Sequence, residues 1–348
     1  MEITRESVLN ALSYVIEPDL KKDIVSLNLV EDLQIKDRKI RFRLYVHNPA
    51  MHNKKRIMEA CKHQLERFVG KDIELDIEIL QLPSQKERPQ DLRKDLSEVK
   101  NIIAVASGKG GVGKSTVTVN LAASLAQQGF KVGIADADIY GPSTHIMLDA
   151  EYEVPGYDKN TDKMLPVETH GMKVMSIGFF AKDGQAVAWR GPMATKALRQ
   201  MIFDTEWGQL DFLFIDLPPG TGDIHLSLIE KVPLTGAVIV STPQKVALAD
   251  AKKGVGFFTL PQVNVPVLGI IENMAWFTPK ELPNNKYYIF GKGGAKQLAE
   301  KLGVPFLGEI PLIQSIRESS DVGLPVVLGE SLAKEHFFPM ARKLAENV

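Results

Sequence analysis

The sequence holds one cysteine, Cys61, in 348 residues, which excludes an intrachain disulfide. Such scarcity fits a reducing compartment, so a cytoplasmic location is expected. No apolar run reaches the roughly 18–20 residues of a membrane helix, and no membrane partner is expected. The opening stretch, MEITRESVLNALSYVIE, is acidic and amphipathic, unlike a secretory signal. Charge of one sign is also missing. Lys and Arg number 42 against 43 Asp and Glu, for a net charge of −1, which argues against a broad nucleic-acid footprint. The seven histidines show no clustered ligand spacing. His47 and His52 lie nearest to one another, in what reads as an ordinary turn. Repeats and low-complexity tracts are absent.

What remains is an ordinary globular chain, 44% hydrophobic and 24% charged, long enough for about two domains. Residues 1–82 read as a small α+β domain. Thr4-x-x-Ser7 precedes a helical pattern carrying Val8, Leu9, Leu12, Val15 and Ile16, which Glu17-Pro18-Asp19 stops. Strands are predicted at 24–30, 39–46 and 72–80, with a helix at 53–68. Residues 83–98, PSQKERPQDLRKDLSE, are polar, charged and proline-bracketed, and read as a linker.

From residue 99 to 348 short apolar strands alternate with helices. Strands are predicted at 102–106, 131–135, 173–177, 212–215, 237–240 and 267–271, with 306–310 a seventh candidate. Helices are predicted at 115–128, 193–203, 224–231, 246–258, 294–302, 312–319 and 332–346, and 151–171 reads as a peripheral loop. This alternation implies an α/β fold with a mostly parallel, doubly wound sheet.

The strand at 102–106 runs directly into Gly108-Lys109-Gly110-Gly111-Val112-Gly113-Lys114-Ser115-Thr116, which fits G-x-x-x-x-G-K-[ST], and a helix follows. Without side chains in the way, the loop's N–H groups can wrap a phosphate. The helix N-terminus adds donors and positive charge. ATP and Mg²⁺ are therefore the expected ligands. Lys114 is expected at the outer phosphates and the Ser115 hydroxyl at Mg²⁺. Two further strand ends carry acids: Asp136 and Asp138 in one, Asp216 before Leu-Pro-Pro-Gly-Thr-Gly-Asp223 in the other. A carboxylate after an apolar strand suits Mg²⁺ or its water shell, and the Gly-Thr-Gly backbone can move with the γ-phosphate. The motif does not require Lys109. A second loop cation could neutralise charge developing in phosphoryl transfer, outward toward a partner subunit's nucleotide. Asn273, at the end of the 267–271 strand, could meet a base edge or cap a turn.

Gly108–Thr116 resembles the deviant phosphate-loop motif of the MinD/ParA/Mrp class, marked by the extra lysine. The Mrp/ApbC branch is resembled more narrowly by Asp136-Ala-Asp-Ile-Tyr-Gly-Pro-Ser143, Trp189-Arg-Gly-Pro-Met193, Asp216–Asp223, Ser241-Thr-Pro-Gln244, Glu272-Asn-Met274 and Gly308-Glu-Ile-Pro-Leu312. Val15–Leu20 with Ile24-Val25 is similar to the small iron–sulfur-assembly domain often fused to that branch. The resemblance implies an ATP-hydrolysing, homodimeric iron–sulfur cluster carrier that serves apoprotein clients. It implies nucleotide binding by Gly108–Thr116, a trans role for Lys109, Mg²⁺ at Ser115, Asp136 and Asp216, a water oriented by Asp138, adenine at Asn273, and a [4Fe-4S] cluster as cargo. One departure stands out. Where the branch carries Cys-x-x-Cys, this chain reads Ala275-Trp-Phe-Thr-Pro-Lys-Glu-Leu-Pro-Asn-Asn-Lys286, and no residues present themselves as cluster ligands. A nucleotide-switched ATPase that binds clients but holds no cluster is the alternative reading. A MinD-like membrane role ranks last, because the C-terminal stretch lacks a basic amphipathic character.

Overall fold

The computed structural model describes residues 3–17, 22–27, 29–36, 38–46, 51–70, 72–81, 96–180 and 191–348. The chain divides into two compact units, Met1–Gln90 and Asp91–Val348.

In the first unit, α1 (Arg5–Leu12) is opened by a reciprocal cap in which the Thr4 hydroxyl accepts from Ser7 N and Thr4 N donates to the Ser7 hydroxyl. The helix ends before the predicted stop. Ile16 instead belongs to β1 (Ile16–Glu17), paired antiparallel with β2 (Lys22–Asp23). The predicted strand at 24–30 is largely a turn, because Asp23 Oδ1 accepts from both Val25 N and Ser26 N. The three-stranded sheet is β3 (Val30–Lys36), β4 (Lys39–Val46) and β5 (Glu74–Gln81), with α2 (Met51–Phe68) crossing over between the parallel pair β4 and β5. Sequence periodicity misses β3. Asp32 sits at φ 51, and the ladder shifts register between Glu31 and Gln34, which breaks the alternation. Ile40, Phe42 and Leu44 face a core shared with Val8, Leu12 and Leu65.

In the second unit, β6 (Val99–Ala106) leads through the glycine loop to α3 (Lys114–Gln127). Then follow β7 (Val132–Asp136), α4 (Thr144–Met147), β8 (Gly156–Asp158), β9 (Lys163–Leu165), β10 (Val167–Thr169), β11 (Met172–Ser176), α5 (Gly191–Phe203), β12 (Leu210–Asp216), α6 (Asp223–Ile229), β13 (Gly236–Ser241), α7 (Lys245–Phe258), β14 (Val267–Phe277), α8 (Gly294–Leu302), β15 (Phe306–Leu312), α9 (Gln314–Asp321) and α10 (Lys334–Glu346). The eight-stranded sheet runs β10-β11-β7-β12-β6-β13-β14-β15. Neighbours are parallel except at the β10–β11 edge. Residues of β6 alternate between two cores. Ile103 and Val105 join Leu121 of α3 and Phe337 of α10, whereas Ile102 and Ala104 join Leu198 of α5 and Phe258 of α7. Strands covered on both faces read as uninterrupted apolar runs, which is why the sheet was legible.

Two expectations need correction here. The loop predicted at 151–171 contains the hairpin β8–β9 and the edge strand β10. The linker predicted at 83–98 lies mostly outside the described residues, but its end does not behave as a linker: Leu96 is buried in the second unit's core and Leu210 N donates to Glu98 O. Trp189, Arg190, His47 and the Asn48-Pro49 turn lie outside the described residues. No helix among the described residues is long and apolar enough to cross a membrane.

Candidate functional site

The carboxyl ends of β6, β7 and β12 meet, and ligands in open parallel sheets bind at such ends. Two glycines show why the loop after β6 must be bare. A Cβ on Gly108 would lie 2.2 Å from the backbone carbon of Asp250, so α7 rests on the loop's entrance. Gly113 caps α3 at φ 82, and a Cβ there would lie 2.2 Å from Asn273 Nδ2. Above the loop a cavity of about 240 Å³ is lined by residues including Gly111, Lys114, Thr116, Asp138 and Pro219.

Lys114 is buried. Its Nζ lies 2.8 Å from Asp216 Oδ2 and 3.3 Å from Asp138 Oδ2. Burial by itself would lower its pKa, but the charges of Asp216 and Asp138 outweigh that and hold it above the ordinary lysine range. Asp216 Oδ2 also accepts from Ser115 Oγ, and Asp216 Oδ1 accepts from Thr118 Oγ1 at 2.7 Å. Thr118 was not foreseen, although it lies one helical turn beyond Lys114 and so on the same face of α3. Lys109 projects elsewhere: its Nζ lies 3.4 Å from Gln244 Oε1, at the start of α7.

The two acids after β7 differ sharply. Asp138 has its backbone N–H on Asp136 Oδ1 and a carboxylate facing Lys114 and the cavity. Asp136 is fully buried. Its Oδ2 alone accepts from Ser143 N, Thr144 N, Thr144 Oγ1 and Ser176 Oγ, at 2.9–3.1 Å. Those donors leave no oxygen turned to a cation, so the metal role expected of Asp136 does not fit this geometry. Burial, then the nearby Asp216 charge, pushes its pKa up to about 6. Its work is to fix Asp138 and the start of α4. Asn273, expected at adenine, donates its Nδ2 to Val112 O at 2.8 Å, on the backbone of the phosphate loop.

His225 gave no usable sequence signal. It is buried on α6, with Nε2 2.7 Å from Pro218 O and the ring edge-on to Phe257. A carbonyl only accepts, so Nε2 carries the hydrogen. Burial is the main cause holding the ring's pKa below the usual histidine value. Gly220 N donates to Ser107 O at 2.9 Å, so the Pro218–Gly222 segment is tied at Pro218, by His225, and at its middle.

The donors around the cavity are hard oxygens, from Ser115 and the carboxylates of Asp216 and Asp138, with one ammonium among them. That set fits Mg²⁺ beside a phosphate. A cluster is another matter. Among the described residues no group of three or more His, Cys, Asp or Glu could hold a metal ion. Cys61 is buried, and burial pushes its thiol up to about 12, far from a thiolate at neutral pH. Among the described residues, therefore, none fits a cluster.

A glycine loop between buried strand and helix, with its lysine and serine bonded to a carboxylate on the adjacent strand, defines a P-loop NTPase. The chain belongs to the NUBPL iron-transfer P-loop NTPase family, whose model matches residues 98–346; an iron-sulfur cluster assembly protein family matches residues 5–79. An iron-sulfur cluster carrier protein of Synechocystis is 42% identical, across 99% of this chain and 98% of its own length. One from Escherichia coli K12 is 44% identical, across 100% of this chain and 92% of its own. The nucleotide-binding protein of Archaeoglobus fulgidus, solved in complex with ADP, superposes with a TM-score of 0.61 at 39% identity, over 69% of this chain and 93% of that one.

Proposed function

We propose that the chain is an ATP-hydrolysing iron–sulfur cluster carrier that works as a cytoplasmic homodimer and delivers clusters to apoproteins. The observation that carries the nucleotide half is the convergence of Lys114, Ser115 and Asp216 under the glycine loop. The cargo half rests on the relatives' names.

The reaction is in-line attack of water on the γ-phosphate. Gly108–Thr116 hold the phosphates through backbone N–H groups. Lys114 leaves its carboxylate partners for the outer phosphate oxygens. Ser115 and Asp216 would hold Mg²⁺, which would supply neutralisation of the charge on the phosphate oxygens. Asp138 orients the attacking water, and Asp136 keeps Asp138 in place as a positioning residue. Lys109 is released from Gln244 to reach the partner protomer's phosphates. Asn273 braces the loop at Val112, and the contact with adenine falls to its Oδ1. No step is assigned to cluster ligands from this chain, because the residues do not fit them.

The test of the site is phosphate release by Lys114→Ala. Turnover should vanish, and unchanged release would overturn the assignment. The trans role of Lys109 is tested by mixing Lys109→Ala chains with chains inactivated at Asp138. Partial recovery is expected, and no recovery from well-mixed heterodimers would refute it.

A further inference from the structure

The sheet of the first unit has two edges, and they are built differently. Among the described residues β3 and β5 each pair with β4 alone. β3 is an interrupted edge: its ladder shifts register between Glu31 and Gln34, and Asp32 stands at φ 51. β5 runs beside β4 from Glu74 to Gln81 with no shift. It carries no proline, no lysine and no bulge, the devices that usually blunt a free edge. Strand geometry says which of its backbone groups lack a partner. Glu74 N donates to Arg38 O at 2.9 Å, so the peptide groups of Glu74 turn toward β4. By the alternation of a strand, those of Asp76 and Glu78 do the same, and the N–H and C=O groups of Leu75, Ile77 and Ile79 turn outward along the edge.

The side chains of β5 say what fits there. On the core face Ile40, Phe42 and Leu44 of β4 are fully buried with Val8 of α1 and Leu65 of α2, whereas Leu75, Ile77 and Ile79 are only half-buried at the margin of that core. The apolar layer runs one strand further than its cover. On the other face Glu74, Asp76 and Glu78 are 71%, 50% and 46% exposed, and each has its cation on the β4 side, at Lys39, Arg41 and Arg43. From residue 72 to 79 every second position is an acid, and no base stands among them. A second copy laid along β5 by its own β5 would set these acids against their own kind, which cross-strand pairing disfavours. The β3 edge of a second copy brings Glu31 and Asp32 and a broken ladder. A strand with basic residues on this face repeats what β4 already does from within the sheet.

We propose that β5 is a docking edge that takes, as a fourth strand, an extended segment of another protein in which Lys or Arg alternates with apolar residues. The backbone of the segment bonds to the outward groups of Leu75, Ile77 and Ile79. Its basic side chains lie beside Glu74, Asp76 and Glu78, and its apolar ones cover Leu75, Ile77 and Ile79 on the core face. Backbone bonds give such strand addition its affinity, and the alternating side chains give it selectivity. The acids bar self-pairing of the edge while leaving it open to a basic strand. This docking uses no residue of the nucleotide site and is independent of the carrier reading above.

The test uses the full chain and, as probe, a labelled peptide of about eight residues that alternates Lys or Arg with Val or Ile. Binding is followed by fluorescence anisotropy, and amide hydrogen exchange along β5 is read residue by residue. The probe should bind and slow exchange most at Leu75, Ile77 and Ile79, because the amides of Glu74, Asp76 and Glu78 are already bonded to β4. A scrambled peptide of the same composition should bind at least about tenfold more weakly. Ile77→Pro takes a donor from the edge and none from the ladder with β4, and the Asp76→Asn/Glu78→Gln double variant removes two charges. Each should weaken binding about tenfold while ATP turnover stays at the wild-type rate, and the effect of the double variant should shrink as salt rises. The double variant and the exchange map decide the matter even where Ile77→Pro does not fold. A wild-type chain that does not bind the probe, a scrambled peptide that binds equally well, a double variant that binds in full, or exchange unchanged at the three outward amides overturns the docking edge. So does self-association of the full chain that Ile77→Pro abolishes with probe binding unchanged, which would make β5 a contact between copies.

Discussion

The two units use the same kind of ion pair for opposite ends. On the sheet of the first unit, Arg38–Asp72, Lys39–Glu74, Arg41–Asp76 and Arg43 with Glu78 and Asp32 form a ladder at 2.6–3.4 Å, with side chains 46–83% exposed. In the second unit, Lys114 meets Asp216 and Asp138 at 2.8 and 3.3 Å, with exposures of 10% or less. Distance does not distinguish the two; water does. Solvent screens the ladder, and holding long side chains together costs entropy, so each rung contributes little. The buried network has lost its water, and removing one member leaves charge with no compensation. The ladder lines the solvent-exposed face of that sheet. The network is chemistry held in readiness.

The largest expected effect comes from breaking the network at its cation. Lys114→Ala should lose phosphate release by about a thousandfold or more and destabilise the second unit by about 2–4 kcal/mol, read by denaturant titration, because the buried carboxylates of Asp216 and Asp138 lose the cation between them. A variant as stable as the wild type would erase the contrast drawn here. The two acids after β7 sharpen it. Asp136→Asn puts an amide among five donors and should cost about 1–3 kcal/mol of stability. Asp138→Asn, which leaves Lys114 its closer partner Asp216, should cost less stability than Asp136→Asn and lose turnover. Equal stability losses in the two variants would mean that they share one role.

Those two residues also show how far the sequence could be read. The phosphate loop was legible because a motif of fixed spacing sat between an apolar strand and a helix, and that context is local. The parallel sheet was legible because burial on both faces writes continuous apolar runs. Asp136 and Asp138 are two positions apart on one strand end, and nothing in the sequence separates a metal ligand from a scaffold. That split depends on Ser143, Thr144 and Ser176 folding back onto Asp136. Thr118, His225 and the Asn273–Val112 contact are equally tertiary. In the first unit β3 escaped notice because a bulge at Asp32 hides its alternation.

A smaller effect separates the units by pH. His225 is held neutral by burial, so its folded-state pKa is below the unfolded value of about 6.5. As pH falls, the unfolded chain takes up a proton before the native one does. The stability it contributes is complete above about pH 6.5 and is lost as pH falls through that value and below. His225→Gln keeps an N–H for Pro218 O without the titration, so it should lose less stability than the wild type between about pH 7.5 and 5.5. Asp136, with its pKa pushed up to about 6, works in the opposite direction in both chains and cancels in the difference. Identical pH profiles would remove His225 from the account.

The smallest effect belongs to the ladder. Arg41→Ala removes the middle rung, Arg41–Asp76, whose side chains are 59% and 50% exposed. Its unfolding midpoint should stay within about 1 °C of the wild type, and raising the salt should bring no further change, because the rung was already screened. A larger drop would show that the rungs act as one network along β4 and β5. The opposition between exposed and buried pairs would then have to be redrawn as one between connected and isolated charges.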